Sequence, residues 1–206
     1  VDVTTEIYPY TAASTSLESA IFDEGWQEHL RIDYGDLQWQ DTGERLTEET
    51  FRSYREEGGI VIIHMMKPDW IEMGLKAPHT MVASDGMPYA LGAHPRGAGT
   101  FSRFLGRYVR EEGTLSLMEG LRKMTLMPAQ RLESISPQMT RKGRIQLGSD
   151  ADITIFDPSR IIDTATFEDD LSYSIGVEYV LVNGSFVVRE GENVEGARPG
   201  VPIVGR

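Results

Sequence analysis

The sequence predicts an α/β protein that passes into a small β region towards its C-terminus, and three features predict it. Ile60-Val61-Ile62-Ile63-His64 is a continuous apolar run, the pattern of a strand buried on both faces, as in a parallel sheet. Strand-like and helix-like segments alternate as far as about Thr140. Beyond that point Tyr179-Val180-Leu181-Val182 and Ser185-Phe186-Val187-Val188 are joined by Asn183-Gly184, the strongest short hairpin signal.

Taken in order, Val1 to Ile7 alternates and is rich in β-branched residues, so it reads as a strand that stops before Pro9, which has no ladder donor. Thr11 to Ser16 reads as a small-residue loop. Leu17 to Gly59 carries many aromatic and acidic residues without one long period. Within it Leu46 to Tyr54 is a short helix, with Thr47 as N-cap and Gly58-Gly59 as the stop. Pro68 to Met73 is another short helix, and Thr80-Met81-Val82-Ala83 a second buried strand, ending at Ser84-Asp85-Gly86. Phe101, Phe104, Leu105, Tyr108 and Val109 have the spacing of a buried helix face, which Leu117, Met118, Leu121 and Met124 repeat. Glu119 and Lys123 are expected to pair at i, i+4 on the exposed side. Asp152 to Phe156 is a strand of the β region, and the tail from Arg198 is loop.

The 206 residues suffice for one domain with a sizeable core. A net charge of -12 argues against a nucleic-acid partner, since nothing here attracts phosphate backbones. The sequence contains no cysteine, which excludes disulfides, thiolate metal ligands and a cysteine nucleophile within it. No apolar run approaches the roughly 18 residues that span a bilayer, and no signal peptide is visible, so the expectation is a cytoplasmic protein without a membrane partner.

Asp85 leads the candidates for chemistry. It follows a buried strand at the end where (β/α)8 barrels carry their catalytic groups, although Asp-Gly is also a common turn pair. Arg96, in His94-Pro95-Arg96 between Gly92 and Gly97, can clamp a carboxylate through two parallel hydrogen bonds or simply face solvent. His64 closes the apolar run, but a lone histidine is not a metal site, and His29, His64, His79 and His94 show no ligand spacing. Tyr8, Tyr10 and Ser14, in the loop after the first strand, read on their own as turn packing.

Together these motifs resemble the N-acyl-D-amino-acid deacylases (D-aminoacylases) of the amidohydrolase superfamily. Tyr8-Pro9-Tyr10-Thr11-Ala12-Ala13-Ser14-Thr15 resembles the loop after their seventh barrel strand. Val82-Ala83-Ser84-Asp85-Gly86, His94-Pro95-Arg96 and Gly99-Thr100-Phe101 resemble their strand-eight region. Lys123-Met124-Thr125, Pro128-Ala129, Gly143-Arg144-Ile145, Gly148-Ser149-Asp150-Ala151-Asp152, Val182-Asn183-Gly184 and Arg198-Pro199-Gly200 look like the C-terminal signature of amidohydrolases in general.

The resemblance implies the C-terminal portion of a (β/α)8 metal-dependent hydrolase barrel over residues 1–140, with an active-site insertion near 17–59. Strands of a small β-sandwich domain follow over 141–206. It implies hydrolysis of N-acyl-D-amino acids by zinc-activated water, with Asp85 as the proton carrier and one metal ligand. Arg96, Tyr8 and Ser14 would bind the substrate carboxylate. No His-x-His pair occurs here, so the other ligands would lie in a missing N-terminal part of the barrel, in the same gene or a partner chain. The expectation is zinc in the complete enzyme, none held stably by this chain alone, and homo-oligomers through exposed strand edges. A cyclic-amide amidohydrolase of the hydantoinase or dihydroorotase type, or an inactive fragment serving as an interaction module, are the alternatives.

Overall fold

The computed structural model describes residues 2–87 and 94–205; Val1 and Gly92 lie outside the described residues. Its elements run β1 (Thr5–Ile7), β2 (Ala13–Ser16), α1 (Trp26–Leu30), β3 (Leu37–Trp39), α2 (Glu48–Glu57), β4 (Ile60–Ile63), α3 (Pro68–Lys76) and β5 (Thr80–Val82). Then come α4 (Arg96–Arg103), a π-helical continuation over Phe104–Glu111, α5 (Leu117–Met124), α6 (Leu126–Leu132), β6 (Ile153–Phe156), β7 (Val177–Val182), β8 (Ser185–Arg189) and β9 (Glu192–Asn193).

β1 and β5 lie side by side and parallel, with Ile7 opposite Val82, and α3 makes the crossover between them. This strand–helix–strand unit, continued by α4, is the barrel portion of the fold. Pro68 starts α3, where its missing N–H costs nothing. Ile71 and Leu75 of α3, Val82 of β5, and Phe104, Leu105 and Tyr108 of the π-helix form one core, which Ile161 joins from far down the chain.

The run at 60–63 is a strand buried on both faces, but it is antiparallel. β4 is the centre of a three-stranded sheet in the order β2-β4-β3. Burial, which the sequence shows, does not fix strand direction: Val61 and Ile63 pack on an aromatic cluster while Ile62 is buried apart from it. Residues 13–16, expected as loop, are the strand β2, because β4 offers Ala13 to Ser16 a complete ladder partner. The cluster under this sheet contains Leu17, Phe22, Trp26, Leu37, Trp39, Leu46 and Phe51, so the irregular stretch from 17 to 59 builds its own core. Thr47 caps α2 by accepting from the Thr50 N–H, and Gly58 ends it at φ 82°.

Three expectations for the helices need correction. Phe101 and Met118 are 41% and 73% exposed, and Leu117 is exposed as well, although their spacing puts them on an apolar face. Lys123 does not pair with Glu119 at the surface. It is 1% exposed, and its Nζ donates to the carbonyls of Ala77 (2.6 Å), just after α3, and Thr80 (3.0 Å), the first residue of β5, while Glu119 pairs with Arg122.

The β region is a four-stranded antiparallel meander, β6-β7-β8-β9, whose hairpin turns on Asn183 and Gly184 at φ 52° and 77°. Between β6 and β7 the chain leaves the sheet. Ile162 pairs with Ile175 across this excursion, and its tip carries Phe167. Among the described residues no helix is long and apolar enough to cross a membrane.

Candidate active site

The ends of β1 and β5 place the candidate residues. β5 stops at Val82, and Asp85 follows in a left-handed conformation at φ 49°. Aspartate tolerates this geometry better than most residues, but it still costs about 1 kcal/mol and needs holding in place. Arg96 holds it. Its Nε donates to the Asp85 backbone carbonyl at 2.9 Å, and its Nη2 stands 3.0 Å from Asp85 Oδ2. The same Nη2 donates to the Ser14 carbonyl at 3.2 Å, and the guanidinium lies over the Tyr8 ring, 4.8 Å from its centroid. The Arg96 side chain thus brings together Tyr8, Ser14 and Asp85, the other three site residues that the resemblance implies.

Arg96 is 3% exposed, so the solvent-facing alternative for it is wrong. The Asp85 carboxylate, by contrast, is 65% exposed and accessible. Ser14 Oγ is buried and has no hydrogen-bond partner among the described residues. A buried hydroxyl left unpaired costs about 1–3 kcal/mol, so a group that arrives and pairs with it gains that energy back. Burial pushes the Tyr8 phenol above its ordinary value, with Arg96 acting in the opposite direction, so Tyr8 is a neutral hydroxyl.

His94 is part of the frame of this site. Its Nε2 lies 3.0 Å from the Ala12 carbonyl, so the proton sits on Nε2 and Nδ1 accepts from the Arg96 backbone N–H at 3.0 Å. Burial, helped by the charge of Arg96, lowers its pKa to about 3, and the ring is neutral. Tyr10 stands edge-on to it and donates to the Pro95 carbonyl and to Asp163, both at 3.3 Å. Asp163 also pairs with Arg103 at 3.1 Å. His64, at the end of β4, points to Gln38 through Nε2 at 2.8 Å and touches the ring of Phe167.

Sequence reasoning missed Asp163 and Phe167. Both come from the excursion between β6 and β7 and reach the site only through the fold; nothing in their local sequence announces them. Gly99 is the one indirect signal. A Cβ there would stand 2.6 Å from Tyr10 Oη and 2.7 Å from the Asp163 Cβ, so the close approach requires glycine.

The donor set tests whether this chain can hold a metal. Among the described residues no group of three or more His, Cys, Asp or Glu could bind an ion, and at the end of β5 Asp85 offers a single carboxylate. A catalytic zinc needs about three protein ligands, so these residues do not compose a zinc site on their own.

Comparison with known proteins identifies the family. Residues 41–188 match the amidohydrolase family. The chain is 33% identical over 200 residues to a D-aminoacylase from Alcaligenes xylosoxydans xylosoxydans, covering 92% of this chain and 39% of that relative. The chain therefore spans well under half the length of the curated relative it matches. It superposes with a TM-score of 0.80 on a D-aminoacylase structure concerned with that enzyme's binuclear metal centre, at 29% identity, over 98% of this chain and 43% of the other. It superposes at 0.76 on N-acyl-D-glutamate deacylase from Bordetella bronchiseptica complexed with zinc and a phosphonate mimic of the tetrahedral intermediate, at 30% identity, over 94% of this chain and 42% of the other. The match over 41–188 and the 33% identity to a D-aminoacylase place the chain in its family: this chain belongs to the amidohydrolase family.

Proposed function

We propose that the protein completed around this chain hydrolyses the amide bond of N-acyl-D-amino acids. The observation that carries the reading is the meeting of Tyr8, Ser14 and Asp85 on the guanidinium of Arg96, at the ends of the parallel strands β1 and β5. Similarity to a D-aminoacylase and an N-acyl-D-glutamate deacylase supports the substrate class. The exposed Asp85 carboxylate takes the proton of the attacking water and delivers it to the leaving amine. Tyr8, the unpaired Ser14 hydroxyl and Arg96 receive the substrate's α-carboxylate, which fixes its orientation. A cyclic amide has no such carboxylate to offer them.

In this reading zinc is required by the complete enzyme and is held chiefly by ligands outside the described residues, with Asp85 contributing one carboxylate. The rest of the barrel, in the same gene or a partner chain, completes the site. The barrel portion extends to about residue 140, with an insertion near 17–59, and 141–206 forms the sandwich portion. The separate aromatic core built mainly from residues 17–51 supports reading 17–59 as an insertion. The test is to assay the complete, zinc-loaded protein on N-acetyl-D-amino acids, their L-isomers and a hydantoin. Release of D-amino acid alone supports the reading; turnover confined to the hydantoin overturns it.

A further inference from the structure

We infer that Arg96 is a positioning residue for Asp85, whatever contact it also makes with substrate. The guanidinium is nine-tenths and more buried, and two of its three nitrogens are committed to protein atoms. Nε holds the Asp85 carbonyl, and Nη2 reaches both the Asp85 carboxylate and the Ser14 carbonyl. These bonds span 11 and 82 residues of sequence, so Arg96 ties the loop after β5 to strand β2 across the mouth of the site. Its own backbone is fixed by His94 Nδ1, and its flat face by the ring of Tyr8.

Asp85 needs such a hold because its backbone occupies the left-handed region without being glycine. A carbonyl bond and a carboxylate bond from a single rigid fork fix backbone and side chain together. Binding a substrate carboxylate would not by itself require Nε and Nη2 to be bonded to protein carbonyls. The arrangement accounts for the burial of Arg96, which a clamp alone does not require.

The inference takes the role of Asp85 from the deacylase reading, but one of its readouts is independent of activity. In the complete protein, Arg96→Lys keeps the charge and loses the fork, so one ammonium has to replace contacts made by two nitrogens. The expected result is a crystal structure in which Asp85 leaves its left-handed backbone. In kinetics, kcat falls by roughly ten- to a hundredfold on both an N-acetyl-D-amino acid and its carboxyl-amidated analogue. An unmoved Asp85, or a kcat lowered only on the carboxylate-bearing substrate, overturns it. If Arg96→Lys does not fold, the wild-type protein crystallised with its D-amino-acid product decides. Nε still bonded to the Asp85 carbonyl supports the inference, and Nε withdrawn to the ligand overturns it. A wild-type protein inactive on every N-acyl-D-amino acid removes the deacylase reading and leaves the backbone readout standing.

Discussion

The ring of Phe167 stands edge-on to the ring of His94, centroids 5.0 Å apart, although 73 positions separate them in sequence. Phe167 also meets His64 at 5.3 Å, so one ring bridges the end of β4 and the frame around Arg96. Such ring pairs contribute about 0.5–1.5 kcal/mol beyond the area they bury. Phe167→Ala is expected to lower stability by about 1–3 kcal/mol, and Phe167→Leu by less. Urea unfolding of both variants checks this; equal stability of wild type and Phe167→Ala would show the contact to be idle.

Acid should loosen the same frame through His94. Its folded pKa, about 3, lies below the ordinary 6.5, so the unfolded chain binds the proton more readily. Stability from this group is complete above pH 6.5 and drains away as the pH falls towards 3. Between pH 7 and pH 5 the expected loss is about 2 kcal/mol. His64, also lowered by burial, adds in the same direction, so His94→Gln should be compared with His64→Gln. Unfolding midpoints at the two pH values decide, and a pH slope unchanged by His94→Gln rejects the assignment.

Lys123 predicts a contrast between two neighbouring residues. Lys123→Met leaves the carbonyls of Ala77 and Thr80 buried without their donor, and should cost about 2–4 kcal/mol. Glu119→Ala removes only an exposed pair with Arg122 and should change stability by less than about 0.5 kcal/mol. Thermal unfolding of the two variants measures both, and similar losses would restore the surface pair expected from spacing.

Gly106 reports on how closely the excursion after β6 sits against the π-helix. A Cβ there would overlap the Ile161 carbonyl oxygen and crowd Ile162. Gly106→Ala should therefore destabilise by about 1–3 kcal/mol, although alanine is the better helix former. Protection of the Ile161 and Ile162 amides in hydrogen exchange should fall with it; a stabilised variant contradicts the packing.

Much of this was legible in the sequence because local rules decide it. Thr47 and Gly58 bound α2 through capping chemistry, Pro68 starts α3, and Asn183-Gly184 makes the hairpin. The cluster of Tyr8, Ser14, Asp85 and Arg96 was legible only as a family resemblance, because no periodicity links residues on separate strands. Other features depend on tertiary partners. Ala13 to Ser16 become a strand because β4 lies beside them, and β4 runs antiparallel to both its neighbours, β2 and β3, a direction its apolar run does not encode. Lys123 is drawn inward by two carbonyls that belong to a different helix–strand joint.

The hydrogen bond from Tyr10 to Asp163 joins positions 153 apart in a chain of 206 residues. During synthesis the strands β1 and β5 can pair, and α3 can dock between them, long before Asp163 exists. The Tyr10 hydroxyl, which also bonds to the Pro95 carbonyl between His94 and Arg96, is thus shared with a segment synthesised after β1, β5 and α4. A chain cut before residue 163 would lack Asp163, and with it the carboxylate that holds both Tyr10 and Arg103, so the brace behind Pro95 would lose its support from the excursion after β6.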